Sequence, residues 1–151
     1  MKIKIISIGT LKETYLKDMV KEYIKRLSKY TKVEIIEIKE ENDTNPKAKE
    51  IEGNKILNNL KPKDYVIALT LNKKEYTSEE LATWLNKRMM KSSELVFLIG
   101  GSLGLDNKVI SRANECLTLS KLTFTHQMSR VILLEQIYRA FKINNHEKYH
   151  K

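Results

Sequence analysis

The chain has 151 residues, of which 41% are hydrophobic and 31% are charged, a balance that is typical of a folded globular protein and excludes a disordered or membrane-embedded one. Its 28 basic and 19 acidic residues leave a net charge of +9. This excess predicts RNA or another polyanion as a partner, while a basic surface that is merely solvated would give the same charge. Arginines favour phosphate contacts because a guanidinium offers a planar fork of donors. The five arginines are Arg26, Arg88, Arg112, Arg130 and Arg139.

Cysteine and histidine are scarce in this chain. The single cysteine, Cys116, cannot form an internal disulfide, and three histidines without a C-x-x-C pair argue against a structural metal site. No apolar run approaches the roughly 20 residues that span a bilayer, and the beginning of the chain lacks the apolar core of a signal peptide. We therefore expect a cytoplasmic protein with a single domain over residues 1–151.

The N-terminal part indicates a strand, a helix and a second strand. Residues 2–9 are rich in β-branched side chains and end at a glycine, which predicts a strand. Residues 12–30 repeat apolar side chains every four positions, which predicts an amphipathic helix. Residues 32–39 are β-branched again but flanked by charge, which favours a strand near the edge of a sheet.

The middle of the chain continues this alternation. Residues 40–46 are polar and rich in turn formers, which predicts a loop. Residues 48–60 predict a helix that Gly53 weakens, since glycine inside a helix costs about 1 kcal/mol relative to alanine. The almost wholly apolar residues 64–71 predict a strand covered on both faces, and Thr77 with Glu80 forms a capping box that starts the next helix.

A second apolar run, residues 94–99, passes straight into a turn with glycines at positions 100, 101 and 104. Glycines let a ligand approach the main chain closely. The turn matches neither G-x-G-x-x-G nor the phosphate loop G-x-x-x-x-G-K-[ST]. A nucleotide-like ligand and an ordinary tight turn are therefore both consistent with it.

Alternating strands and helices predict a three-layer α/β domain with a mainly parallel sheet. Ligands of such sheets bind beyond the carboxyl ends of the strands. Three segments are expected to meet there: the end of the strand at residues 64–71, the glycine turn, and the loop that follows residues 117–119.

The last predicted helix, residues 128–143, is apolar around most of its circumference. Either it is buried centrally in one chain, or one face packs on the sheet and another on a second subunit. The second arrangement is favoured, because a chain of this length has few fully interior helices.

Four segments together resemble the RlmH family of SPOUT-class RNA methyltransferases over essentially the whole chain. They are KIKIISIGTLKETY, LIGGSLGL, LTLSKLTFTHQMSRVILLEQIYRAFKI and the terminal KYHK. The resemblance implies an α/β enzyme whose C-terminal part is a deep trefoil knot and whose active site lies at a homodimer interface. Knotted chains are rare, and general rules of topology argue against one.

By the same resemblance, the cofactor is S-adenosylmethionine, and the methyl acceptor is N3 of a pseudouridine in helix 69 of 23S ribosomal RNA within the assembled ribosome. Adenine can be held by main-chain amides and carbonyls in an apolar slot, without a metal. Leu69 and Leu122 would also fit a core role. The matching cofactor positions are Leu69, Gly100, Leu119, Ser120, Lys121, Leu122, Thr123 and Phe124.

Transfer to N3 requires a group that takes the proton and a group that stabilises the anion. The catalytic candidates are His126, Arg139, Tyr149 and His150, and His126 is also suited to fixing its turn. The chain departs from the family at Thr125, where members commonly have proline. The alternative functions are a noncatalytic RNA-binding module and a SPOUT methyltransferase that acts on transfer RNA.

Overall fold

A computed structural model describes all 151 residues of the chain. Strands and helices alternate along it, as the sequence predicts. In chain order they are β1 (Lys2–Ile8), α1 (Thr14–Leu27), β2 (Lys32–Ile38), α2 (Ala48–Asn58), β3 (Tyr65–Glu75), α3 (Ser78–Lys91), β4 (Glu94–Ile99), α4 (Asn107–Arg112), β5 (Glu115–Thr118) and α5 (His126–Asn144).

The five strands form one parallel sheet in the order β2-β1-β4-β3-β5. β2 lies at the edge, so the prediction drawn from its charged flanks is confirmed. β1, β4 and β3 lie inside the sheet, where both faces of a strand are covered. Their position explains why long stretches of these strands are apolar without alternation.

Helices cover both faces of the sheet. α1, α3 and α5 pack on one face, around Ile5 and Phe97, whereas α2 and α4 pack on the other, around Ile6 and Val96. Ile5 and Ile6 are neighbours in β1 but belong to different cores, because successive side chains of a strand point to opposite faces. The predicted three-layer α/β class is confirmed, and the trefoil knot stays a prediction.

α5 occupies the middle of its layer, between α1 and α3. Tyr138 of α5 packs against Tyr23 of α1, with ring centres 6.1 Å apart, and Gln136 accepts a hydrogen bond from Ser78 of α3. Eight residues of the helix are buried within the single chain. Central burial, the less favoured of the two explanations, therefore accounts for the composition of α5, and that composition no longer argues for a second subunit.

The short helix α4 is not indicated by the sequence, and it explains the glycine inside α2. A Cβ atom on Gly53 would lie 2.9 Å from Cβ of Asp106 and 3.3 Å from Cγ2 of Val109. The residue that weakens α2 is therefore the residue that lets the two helices touch. None of the helices has both the length and the apolar character needed to cross a membrane.

Candidate active site

The three segments expected to bind a ligand leave the sheet at one edge. β3 lies between β4 and β5, with Ala68 opposite Leu98 and Leu69 opposite Leu117. Because the strands are parallel, the glycine turn and residues 119–124 both begin within two residues of the level of Leu69. The sheet therefore brings these segments together at its carboxyl edge, where such folds bind ligands.

Residues 119–124 keep most of their main-chain polar groups free. Among their N–H groups, only that of Leu122 donates within the chain, to the Ser120 hydroxyl at 3.0 Å, and none of their carbonyl oxygens accepts a hydrogen bond. Leu119 packs half-buried against the core, whereas Leu122 is 71% exposed and is not a core residue. Unpaired amides and carbonyls beside an apolar wall suit a flat polar ligand.

The glycine turn has a structural reason of its own. A Cβ atom on Gly100 would lie 2.7 Å from the main-chain carbonyl carbon of Gly104, closer than real Cβ atoms approach. Gly104 has a φ angle of 78°, in the region that favours glycine. A tight turn is therefore sufficient to explain Gly100, and a ligand is not needed to do so.

β3 leaves its ladder directly after Leu69. Residues 70–73 break the pairing with β5, which resumes at Lys74. The Thr118 hydroxyl donates to the carbonyl of Thr70 at 2.8 Å and accepts from the N–H of Lys73 at 2.9 Å. We call residues 70–73 the β3 excursion; it lies beside residues 119–124, which directly follow Thr118. The sequence predicts that this strand ends at residue 71, whereas β3 extends to Glu75. The difference arises because the strand pairs with β5 again after the excursion.

His126 is the first residue of α5. Thr125, in the place of the family's usual proline, caps the helix, because its hydroxyl accepts from the N–H of Met128 at 3.2 Å. The imidazole lies so close to Gly9 that a Cβ atom there would be 2.9 Å from Nε2. It faces an open polar cleft of about 810 Å³ that Lys12 also lines.

Arg139 and Tyr149 form a second group, centred on Glu135. One oxygen of Glu135 accepts from Arg139 Nε at 3.1 Å, from Arg139 Nη2 at 2.5 Å and from the Tyr149 hydroxyl at 3.1 Å. Burial, and after it the neighbouring Tyr23 hydroxyl and Glu135, raises the pKa of Tyr149 well above its ordinary value. The phenol therefore stays protonated at neutral pH and acts as a donor.

His150 completes this second group. Its Nδ1 lies 3.1 Å from Arg139 Nη1, and its Nε2 lies 2.6 Å from a carboxylate oxygen of Glu79, in the first turn of α3. The hydrogen bond to His150 is the main cause that lowers the pKa of Glu79. Chain termini are ordinarily disordered unless they are tied down. Here two helices hold the terminal residues in place.

The structure brings Arg139, Tyr149 and His150 together but leaves His126 apart. Arg139 follows His126 by 139 − 126 = 13 positions on α5, which at about 1.5 Å per residue separates them by roughly 20 Å along the helix axis. Residues 119–124 directly precede the His126 end of the helix. One chain alone therefore does not place the free main-chain groups beside Arg139.

The arginines are used inside the chain. Arg130 is only 1% exposed and donates to Glu37 at 2.5 Å and to the carbonyl oxygen of Gly9 at 3.1 Å. Its expected availability for phosphate is therefore wrong. The partners of the other four are Glu22 for Arg26, Glu115 for Arg88, the carbonyls of Lys61 and Asp64 for Arg112, and Glu135 for Arg139.

Unpaired positive charge lies instead on lysines of the loops at the carboxyl edge. Lys12, Lys39, Lys73 and Lys121 take part in none of the ion pairs of the chain. At the opposite edge Lys2 and Lys4 pair with glutamates, whereas Lys32, Lys61 and Lys63 are also outside these ion pairs. No group of three or more His, Cys, Asp or Glu side chains is placed to hold a metal ion.

Three residues of these sites are not indicated by the sequence. The sequence contains a signal for Glu135, because it lies four positions before Arg139 on a helix and side chains at this spacing meet on one face. Glu79 and Thr118 carry no comparable signal. Their partners are 71 and 48 positions away, and only the folded sheet brings them together.

Residues 1–150 match the family described as a predicted SPOUT methyltransferase. Two relatives are each named ribosomal RNA large subunit methyltransferase H and align over the full length of both chains. The one from Bifidobacterium animalis subsp. lactis is 50% identical over 159 residues, and the one from Clostridium tetani is 51% identical over the same length. The chain belongs to the RlmH family of SPOUT methyltransferases.

Two solved structures share the fold of this RlmH-family chain. TrmJ from Z. mobilis has a TM-score of 0.53 at 11% identity, covering 93% of this chain and 70% of that one. The putative methyltransferase Lpg2936 from Legionella pneumophila, solved with the bound cofactor SAM, has a TM-score of 0.50 at 10% identity, covering 93% and 66%. At these identities the likeness concerns the fold alone.

Proposed function

We propose that this protein is an S-adenosylmethionine-dependent methyltransferase of ribosomal RNA, acting on N3 of the helix 69 pseudouridine of 23S RNA in the assembled ribosome. The name of the full-length relatives, ribosomal RNA large subunit methyltransferase H, supports the substrate class. The loop lysines at the carboxyl edge suit a phosphate backbone. We also propose a cytoplasmic location, where ribosomes are found, and a single domain over residues 1–151.

One observation carries the cofactor assignment: residues 119–124 offer unpaired main-chain donors and acceptors beside the half-buried Leu69 and Leu119. This donor and acceptor set fits the edge of an adenine, which needs no charged partner. Leu69, Gly100 and residues 119–124 would hold the group. S-adenosylmethionine, when bound, supplies an activated methyl group.

We further propose that the working unit is a homodimer in which each active site combines two chains. Within one chain, residues 119–124 and Arg139 lie toward opposite ends of α5. A second copy that packs on this surface would place Arg139, Tyr149 and His150 beside the cofactor segments of its partner. Apolar side chains left in solvent suit such a contact, since Tyr15 is 65% exposed and Met19 and Met128 are also exposed.

We assign different roles in the reaction to Arg139, Tyr149 and the histidines. Arg139 carries the positive charge that stabilises the anion on the pyrimidine ring. Tyr149 remains a neutral phenol because its pKa is raised, so it orients the acceptor and is not the base. The proton on N3 then passes to one of the histidines, His126 or His150, the side chains whose ordinary pKa suits this role.

Methylation of purified ribosomes tests the proposed function. Ribosomes from a strain that lacks the endogenous enzyme are incubated with the protein and radiolabelled S-adenosylmethionine, and the labelled nucleotide is mapped. We expect label on N3 of one pseudouridine of 23S RNA in assembled ribosomes. Label on transfer RNA instead would establish the alternative substrate, and RNA binding without any cofactor binding would establish a noncatalytic module.

A further inference from the structure

A chain of polar contacts runs from the carboxylate of Glu135 through Arg139 and His150 to the carboxylate of Glu79. Arg139 Nη1 lies 3.1 Å from His150 Nδ1, and His150 Nε2 lies 2.6 Å from Glu79. A guanidinium has only donors, so Nδ1 accepts in the first contact. An ionised carboxylate has only acceptors, so Nε2 carries the hydrogen in the second. The two neighbours together select one neutral tautomer of His150.

We propose that Glu79 is a positioning residue that holds His150 with its Nδ1 lone pair toward Arg139, and that Arg139 covers this lone pair until the RNA acceptor recruits the guanidinium. The inference rests on the proposed function and assigns the base within it. Glu79 is well placed for this role, because the capping box of Thr77 and Glu80 fixes the first turn of α3.

The contacts of Arg139 allow one of its nitrogens to change partner while the others stay. Glu135 binds Nε and Nη2, and only Nη1 contacts His150. An acceptor that binds Nη1 therefore uncovers Nδ1 without releasing Arg139 from α5. The guanidinium then lies beside the pyrimidine ring, where negative charge develops.

His150 takes the proton that N3 of the acceptor loses. The N–H bond at N3 breaks, its electron pair stays on N3, and the proton binds Nδ1 of His150 to give an imidazolium. Glu79 stabilises this cation because its carboxylate already accepts a hydrogen bond from Nε2–H in the resting state. The contact has the geometry by which an aspartate orients a catalytic histidine in hydrolases, although the Glu79 side chain is 64% exposed and theirs is buried.

Long-range proton–nitrogen NMR spectra of the full-length protein report the tautomer directly. The chain has only three histidines, and His146→Gln and His150→Gln variants assign their signals. Under mildly alkaline conditions, where imidazoles are neutral, we expect His150 to carry its hydrogen on Nε2. In an Arg139→Ala background, where Glu79 alone selects the tautomer, Glu79→Ala should convert this signal to a mixture of tautomers, and Glu79→Gln, whose amide oxygen still accepts, should retain it. An unchanged His150 signal on Glu79→Ala in that background overturns the inference.

Methyl transfer to ribosomes supplies the second measurement. Glu79→Ala should lower kcat by about 10-fold, the lower end for loss of a residue that orients a metal-ligating histidine, with unchanged cofactor affinity. Glu79→Gln should recover part of this loss, and Glu50→Ala, which breaks an exposed glutamate–lysine pair between α2 and α4, should have no effect. Full activity of Glu79→Ala excludes Glu79 as a positioning residue. If the tautomer responds as expected but the wild-type protein methylates no RNA, the positioning stands and the proposed function fails.

Discussion

The hydroxyl of Thr118 in β5 donates to the carbonyl of Thr70 in β3, a residue 48 positions earlier in the chain. The same hydroxyl accepts from Lys73, so a single oxygen closes both ends of the β3 excursion. Thr118 is 3% exposed, which keeps water away from these hydrogen bonds. The shape of the loop beside the candidate cofactor site therefore depends on one side chain.

Thr118→Val, which keeps the shape of the side chain, should destabilise the protein and weaken cofactor binding. It leaves the carbonyl of Thr70 and the N–H of Lys73 without their partner; a fully buried group would lose about 1–3 kcal/mol, and the exposed Lys73 should lose less. Denaturant unfolding and calorimetric titration with S-adenosylmethionine measure the two effects. The matched control is Thr70→Val, which removes a buried hydroxyl that has no partner and should not lower stability. Equal stabilities of the two variants would contradict the role of Thr118.

Gly53→Ala should destabilise the protein although alanine is the better helix former. The added Cβ atom would lie 2.9 Å from Asp106, so α2 and α4 would have to move apart. This overpacking typically costs about 1–3 kcal/mol, which exceeds the gain of about 1 kcal/mol in helix propensity. Thermal unfolding monitored by circular dichroism measures the balance. A higher melting temperature would show that the two helices adapt freely.

Gly100→Ala should reduce affinity for S-adenosylmethionine by displacing the turn that borders the site. A Cβ atom there meets the main chain of Gly104, and the main chain cannot yield as a flexible side chain would. Calorimetric titration is to be made at a temperature where circular dichroism shows the variant to be folded. Unchanged affinity in the folded variant would limit Gly100 to a role in the turn.

Glu52→Gln should stabilise the protein at neutral pH. Burial, opposed in part by the N–H of Glu41, raises the pKa of Glu52 above its ordinary value of 4.5. The folded state thus binds the proton more tightly than the unfolded state, so the penalty is present at neutral pH and disappears as the pH falls through the folded and then the unfolded pKa. The advantage of the variant should shrink over the same range in thermal unfolding. A pH-independent difference would contradict this origin.

Deletion of residues 149–151 should separate cofactor binding from methyl transfer. The deleted side chains contact Arg139, Glu135 and Glu79, and none contacts residues 119–124. Affinity for S-adenosylmethionine should therefore stay within a few-fold, while transfer to ribosomes falls by at least about 10²-fold, the lower end for a positioned acid or base. Methyl transfer at the wild-type rate would show that His150 is not the base, and His126 would then be the remaining candidate.

Much of the fold follows from local pattern. The apolar runs, the four-residue repeat of α1 and the capping box at Thr77 depend on near neighbours in the chain, and each appears where the sequence predicts it. α4 escapes prediction because a six-residue helix is too short to show a period. The β3 excursion escapes because it depends on Thr118, whose partner strand is distant in sequence.

Only part of the candidate site can be predicted from the sequence, because some of its contacts join residues that are distant in the chain. Resemblance to the RlmH family selects Arg139, Tyr149 and His150, and the structure gathers these three. Glu79 becomes visible only in the fold, where it meets His150. The explanation of α5 depends on its neighbours, because apolarity on all sides is the same whether another helix or another chain covers it.

The central place of α5 has a consequence for synthesis of the protein. This helix covers the face that carries Ile5 and Phe97, yet it is the last element to leave the ribosome. Until then, α1 and α3 border an uncovered apolar groove, and a chain that stalls before residue 126 has no segment to fill it. Such a chain should be retained by chaperones or degraded, because exposed apolar surface of unfinished domains leads to aggregation. The nascent chain therefore remains dependent on quality control until α5 has been translated.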